Sequence, residues 1–406
     1  MKIFRCPVHD VINLDMGDDV VNNLIIDLID SKEFQRLRRI KQLGMADFAY
    51  PNATHTRFAH SIGVAYLAKR VIAQILALES KTQPCPKKTA FFAEIRRDAP
   101  LAVVAALLHD IGHGILSHVT EELTGIHHET WTKQIILGDT EINRLLTAYN
   151  PDAPIIVCNI LTSHPAHSHS GRIIDSTIDV DKMDYLLRDS HMTGSGYGRF
   201  DLEWLLNMLT VGIYNGRVVI GLDEGKGTSV AEDFVMARIY MLKNVYLHKT
   251  SLVAQQMLKL LFTRLCQVGK CCYPSIGMGK VFAGNADLQD FLSVSDEHFY
   301  MLLSCLTNCG DEVLETLAGG LYHRKLYKEI TKDKYNALPD AFKQYYAFEI
   351  KAHGAEEKLT YRLGKDEIFL FDKQGNAGEL LTKSLITPPN MGNYDYHMGY
   401  FAKEDF

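Results

Sequence analysis

The segment Leu101 to Gly114 reads LAVVAALLHDIGHG, an apolar, helix-like run that delivers His109 and Asp110 side by side, with His113 one turn on. An imidazole and a carboxylate at the end of a buried segment point to a cation or to proton transfer. Two further groups accompany them, His60 in RFAHSIG and Asp181 in IDVDKMDY. Two neutral imidazoles and two hard carboxylates suit one divalent ion of borderline character. A purely structural metal calls for a closed, thiolate-rich set instead, whereas four such ligands on an octahedral ion leave room for water and a phosphate oxygen. The donor types leave the ion open among Fe, Mn, Ni, Zn, Co and Mg.

These residues are far apart in sequence, so separate helices must bring them together. Adjacent helical residues diverge by about 100°, which lets His109 and Asp110 share a cation most easily at a helix end. Gly112 and Gly114 supply one, and the central helix is expected over Ala99 to Ile111, with Pro100 in its first turn. Phe58 to Leu78 is expected to carry His60 and Asp179 to Ser190 to carry Asp181, with a loop from Glu79 to Lys88. Further helices are expected over Val20–Ile29, Phe34–Leu43, Ser117–Leu123, His128–Leu137, Glu141–Ala148 and Pro154–Ser163, and a long one over Val230–Val268. Asn215-Gly216 between two apolar runs marks a β-hairpin over Leu209 to Leu222. Helices near Asp287–Leu292, Asp296–Leu306, Asp311–Leu317 and Pro339–Lys351 then lead to a second hairpin, Glu367–Phe371 with Gly378–Leu381. The fold class is mainly α, a helical bundle with a small β-hairpin insert and an α+β C-terminal part, divided at 1–270 and 271–406.

With 406 residues, 47% of them hydrophobic, the chain can bury a substantial core. Its 43 basic and 49 acidic residues give a net charge of −6, which removes any general electrostatic case for nucleic-acid binding. MKIFRCPVHDV lacks the order of a secretory signal and Leu101 to Leu108 is too short to span a bilayer, so a cytoplasmic protein without a membrane partner is expected. No C-x-x-C pair is present; free, mostly buried thiols are expected, the alternative being a zinc site among Cys266, Cys271, Cys272, Cys305 and Cys309. His9, His298, His323, His353 and His397 read as solvated or hydrogen-bonded histidines.

Five stretches, DSKEFQRLRRIKQLG, THTRFAHSIGVAYL, LLHDIGHGILSH, HHETW and IDVDKMDYLLRDS, follow one another between Asp30 and Ser190. In type and order they resemble the HD-domain metal-dependent phosphohydrolases and, within them, the deoxynucleoside triphosphate triphosphohydrolases. HD alone is shared widely, whereas QRLRRIKQLG together with IDVDKMDY is more specific. The likeness spans Lys2 to Lys249.

The resemblance implies an HD-domain helical bundle with His60, His109, Asp110 and Asp181 as metal ligands. It implies His118 as general acid or base beside the scissile phosphate, with His113, His128 and Glu129 assisting. Arg57 would reach the α-phosphate, Lys182 the terminal phosphate, and Arg238 would be a third cationic contact. Tyr185 would press on the deoxyribose, Gln42 and Asp189 would bond the 3′-hydroxyl, and Tyr246 would lie near the base. Read from the residues alone, Tyr185 is equally an apolar-face core residue and Arg238 a solvated cation. Leu242 and Leu247 stand where the family's animal members carry polar base contacts, so no base preference is implied. Lys2, Ile3, Asp30, Gln35 and Arg38 match an activating-nucleotide site, from which Arg5-Cys6 departs; Arg36, Arg38 and Arg39 otherwise read as a subunit interface or a solvated stripe. The implied reaction cleaves a deoxynucleoside triphosphate to deoxynucleoside and triphosphate, in a homo-oligomer. The alternatives are a nucleotidase or phosphodiesterase, or a nucleotide sensor with little turnover.

Overall fold

Pro86 opens the helix that carries the HD pair, which therefore runs from Pro86 to Leu108 with Pro100 in its interior. The first-turn place expected for Pro100 belongs to Pro86, and the expected loop up to Lys88 is helical from Pro86 onward. The computed structural model describes residues 2–116, 118–162, 168–269, 275–351, 367–384, 386 and 397–404. His353, Cys271 and Cys272 lie outside the described residues, as do the side chains of His118 and His397.

A β-hairpin, β1 (Ile3–Cys6) and β2 (Asp10–Asn13), comes first and had no counterpart among the expected elements. Next are α1 (Asp19–Asp30), α2 (Lys32–Arg36), α3 (Arg57–Ala77), α4 (Pro86–Leu108), α5 (His118–Thr124), α6 (His128–Leu137) and α7 (Glu141–Tyr149). They are followed by α8 (Ala153–Thr162), α9 (His169–Ile174), α10 (Val180–Thr193) and α11 (Leu202–Asn207). The expected helix Phe34–Leu43 is cut short: α2 ends at Arg36, a 3-10 turn covers Leu37–Arg39, and Ile40 is extended. Strands β3 (Leu209–Tyr214) and β4 (Arg217–Asp223) form the hairpin expected around Asn215-Gly216, with Tyr214 opposite Arg217.

The single helix expected over Val230–Val268 is two, α12 (Glu224–Met241) and α13 (Lys249–Val268), separated by a π-turn at Leu242–Tyr246. The break has no Gly or Pro to announce it; His248 makes it by capping the next helix, its Nδ1 accepting from Thr250 N at 3.2 Å. Beyond lie α14 (Ile276–Phe282), α15 (Leu288–Leu292), α16 (Asp296–Leu306), α17 (Glu312–Tyr322), β5 (Lys328–Ile330), α18 (Lys332–Ala337), α19 (Asp340–Tyr346) and β6 (Ala347–Lys351). Last come β7 (Phe369–Phe371), β8 (Ala377–Glu379), α20 (Leu380–Lys383) and β9 (His397–Ala402). Where one helix was expected over Pro339–Lys351, the chain turns to strand at Ala347. The β7–β8 hairpin joins β3–β4 through a parallel β4–β7 pairing, giving the order β3-β4-β7-β8.

Helices α3 and α4 form the centre of the larger apolar core, every residue from Leu101 to Leu108 being buried. Each buried Leu or Val there stabilises the fold by about 1.5–3 kcal/mol. Helix α3 is long and apolar enough to cross a membrane by composition, yet it is a core helix that carries Arg57 and His60. A second core forms around α13, α16 and α17, and it takes in Ile115 and Leu116 from the loop after the HD pair and Val119 from α5. Of the thiols, Cys6 and Cys158 are buried but Cys266, Cys305 and Cys309 are exposed, against the expectation of mostly buried ones.

Candidate functional site

Helix α4 ends at Leu108, and His109 is its C-cap. The His109 ring turns back so that Nδ1 lies 2.8 Å from the carbonyl oxygen of Ala106. A carbonyl only accepts, so Nδ1 carries the proton and Nε2 presents a lone pair. His60, buried in the first turns of α3, is fixed the same way: its Nδ1 donates to Asp184 Oδ2 at 2.8 Å. Both Nε2 atoms are buried without a hydrogen bond of good geometry. Asp181 Oδ1 lies 2.9 Å from His60 Nε2 and 3.4 Å from His109 Nε2. Asp181 is held there because Asp179 caps α10, accepting from Lys182 N at 2.7 Å, and so places Asp181 in the first turn.

His60, His109 and Asp181 thus offer three donor atoms within 4.8 Å of one another. Asp110 flanks them, its Oδ1 3.4 Å from His109 Nε2 and its Oδ2 3.7 Å from His60 Nε2. Imidazoles preset in the ligating tautomer by an outer carboxylate or carbonyl, with orphaned Nε2 atoms facing carboxylates, fit a divalent cation. Burial opposes a charged His60, but Asp181 and Asp184 outweigh it and hold its pKa up to about 10, so a proton on Nε2 and a metal cation compete for the same place. That field favours a positive charge between the carboxylates. Burial also works against the Asp110 carboxylate, which Arg57 and then His109 hold well below the usual range; Arg57 Nη1 donates to its Oδ2.

A second set of donors stands next to the first. His113 Nε2 is 3.3 Å from Asp110 Oδ1, and its ring stacks on His128 at 3.9 Å between centroids. His128 Nδ1 lies 2.8 Å from Glu121 Oε1. Burial first, then the Arg57 charge, pushes the His113 pKa well down, so this imidazole is neutral near pH 7. Glu129, the carboxylate expected beside His128, is exposed without a hydrogen bond or ion pair among the described residues, and Glu121 stands in that place. The expectation followed the adjacent HE letters; Glu121 pairs instead, reaching His128 from α5 seven residues earlier in the chain.

Around Asp189 the other expected contacts gather. Tyr246, at the end of the π-turn, donates its hydroxyl to Asp189 Oδ2 at 2.8 Å, and His55 Nε2 is 2.7 Å from Asp189 Oδ1. Gln42, whose backbone N–H donates to the His55 carbonyl at 3.0 Å, has a buried Oε1 without a partner. Tyr185 is half-buried, its ring edge-on to Tyr246 at 6.1 Å. Lys182 Nζ pairs with Asp179 Oδ2 at 2.6 Å, and Lys182 and Arg238 line a cavity of about 390 Å³ on that flank of α10.

Three supports were missed at the sequence level. Asp184, one turn after Asp181, takes His60 on one oxygen, His9 Nε2 at 2.7 Å on the other, and Arg188 on both. The i, i+3, i+7 spacing of Asp181, Asp184 and Arg188 on one helix face was the available signal. Arg36 is buried and donates to the carbonyls of Ile111 and His113 at 2.9 and 2.7 Å. Asp296, from α16, accepts from Leu116 N at 2.9 Å and from Lys41 N at 2.8 Å. Leu116 sits at φ 55, a left-handed conformation that costs a non-glycine residue about 1–2 kcal/mol and is pinned by that bond.

A family model described as HD domain matches residues 57–189, and one described as HD associated region matches residues 200–370. The uncharacterised protein YwfO of Bacillus subtilis is 30% identical, the match covering 99% of this chain and 92% of that one. The deoxynucleoside triphosphate triphosphohydrolase SAMHD1 of Gallus gallus is 26% identical over 83% of this chain and 59% of its own length. A Dictyostelium discoideum homologue of that enzyme is 34% identical over 46% of this chain and 36% of its own. Among solved structures, a phosphohydrolase from Bacteroides thetaiotaomicron superposes with a TM-score of 0.80 at 25% identity, covering 100% of both chains.

Proposed function

The chain belongs to the HD-domain phosphohydrolase family, and we propose that it hydrolyses deoxynucleoside triphosphates to deoxynucleoside and inorganic triphosphate. The observation that carries the reading is the pair of preset imidazoles, His60 and His109, facing Asp181 and Asp110 beside a cationic flank of Arg57, Lys182 and Arg238. One divalent ion would be held by His60, His109, Asp110 and Asp181, supplying Lewis acidity and activation of water.

The remaining roles fall to the chain's own side chains. Arg57, already held against Asp110, offers a planar fork to the α-phosphate, and Lys182 with Arg238 neutralises the outer phosphates. Neutral His113, stacked on His128 with Glu121 behind, forms a proton-transfer set; His118 completes it as the acid that protonates the departing 5′-oxygen. Tyr185 lies against the deoxyribose, and Gln42 and Asp189 take the 3′-hydroxyl, with Tyr246 toward the base and His55 and Tyr246 orienting Asp189. Part of this reading is a homo-oligomer with an activating nucleotide near Lys2, Asp30, Gln35 and Arg38; Lys2 bonds Asp30, and Arg38 Nε donates to Gln35 Oε1 at 2.8 Å. A cytoplasmic setting belongs to it too, supported by the exposed thiols, which suit a reducing compartment.

Product analysis of the purified protein against all nucleotides, with Mg, Mn, Fe, Co and Ni in turn, tests the reading. Deoxynucleoside plus intact triphosphate is the expected outcome. Release of monophosphate or pyrophosphate would instead make the protein a nucleotidase or phosphodiesterase, and binding without product a sensor.

A further inference from the structure

The cavity of about 390 Å³ that Lys182 and Arg238 line has a third cation, Arg172 of the short helix α9. Its volume lies within the range of about 300–1,000 Å³ typical of small-molecule sites, and exceeds what one phosphate group needs. Neither Arg172 nor Arg238 makes a side-chain hydrogen bond or ion pair among the described residues, although both are partly buried. The carboxylates on the wall do not use them. Asp179 is spent on Lys182 Nζ at 2.6 Å, Lys182 N at 2.7 Å and Ser176 N at 2.9 Å. Asp175 is exposed, and Glu367 lies near enough to Arg172 to act on it electrostatically without forming an ion pair. Unpaired guanidinium groups in a partly enclosed cavity are costly unless an anion arrives, and their planar forks match phosphate oxygens.

The cavity flanks α10, the helix that also carries Asp181 and Tyr185. Lys182 follows Asp181 directly, and the Arg238 charge reaches the Tyr185 hydroxyl. We propose that Arg172 is a further anion-binding residue, which lengthens the cationic track beyond Lys182 and makes this cavity the seat of a polyphosphate chain of three or more phosphates. The inference rests on the triphosphohydrolase reading for the direction of that chain, and it goes further in naming a residue and a specificity: binding strength is set by phosphate number.

Calorimetric titration of the purified protein with inorganic phosphate, pyrophosphate and tripolyphosphate tests this without turnover. Affinity is expected to rise with chain length. Arg172→Ala, a partly exposed position, should lose about tenfold in tripolyphosphate affinity with phosphate affinity unchanged, and Arg172→Lys should keep part of the gain. Equal affinities of wild type and Arg172→Ala for all three ligands would overturn the proposal, as would a wild type blind to chain length. Either result alongside release of triphosphate from deoxynucleotides would leave the functional reading intact. An Arg172-dependent preference for tripolyphosphate in a protein that cleaves no deoxynucleotide would sustain the cavity and remove the reading.

Discussion

At the scale of single residues, the two carboxylates near His128 separate by environment. Glu121 is bonded to the imidazole at 2.8 Å, whereas Glu129 faces solvent. Glu121→Gln removes the carboxylate that accepts from His128 Nδ1 and orients its ring, and kcat should fall by about 10²-fold. Glu129→Gln should stay within about twofold of wild type, since an exposed, unbonded carboxylate leaves neighbouring groups almost untouched. Steady-state kinetics of the two variants decides; the reverse ranking would return the role to Glu129. The ligand-type residues were legible in the sequence because His-Asp adjacency and IDVDKMDY are chemical statements in themselves. Glu121 and His55 were not, because their importance lies in what they touch across 7 and 134 residues of chain.

At the scale of elements, the centre depends on how closely α10 approaches α3. Gly63, one turn beyond His60, has no side chain where a Cβ would run into the Asp184 carboxylate and Arg188. Gly63→Ala therefore forces α10 outward and takes Asp181 and Asp184 away from His60. We expect a loss of about 2–4 kcal/mol in unfolding free energy by denaturant titration, with weaker metal retention. Wild-type stability and metal content in this variant would mean that the helices have slack. Gly112 plays the same part for α6, its N–H donating to Thr132 Oγ1 at 3.1 Å where a Cβ would strike the His128 carbonyl. Helix existence could be read from periodicity for α3, α6, α7 and α10, and the β3–β4 and β7–β8 hairpins from their turn residues, whereas β1–β2 gave no such signal. What periodicity could not give was the end of α12, where a π-turn swings Tyr246 to Asp189, and the start of α4, where two prolines competed for one role.

At the scale of the whole molecule, the C-terminal region acts on the HD loop. Phe291 stacks on Trp131 at 4.3 Å with the Arg36 guanidinium 4.9 Å from its ring, and Asp296 holds the strained Leu116 between His113 and α5. Asparagine at 296 has one acceptor for two N–H donors, so Asp296→Asn should lower kcat about tenfold with KM nearly unchanged, and stability by about 1–3 kcal/mol. A stability loss without any change in kcat would confine Asp296 to a structural role. Helices α3, α4 and α10 bring donor atoms of His60, His109 and Asp181 together, as one shared cation requires. Metal analysis of wild type and Asp181→Ala after chelation, reloading and gel filtration shows whether they hold it. About one divalent ion per chain in wild type and almost none in a folded Asp181→Ala is the outcome the geometry requires. Equal metal content in the two proteins would contradict it.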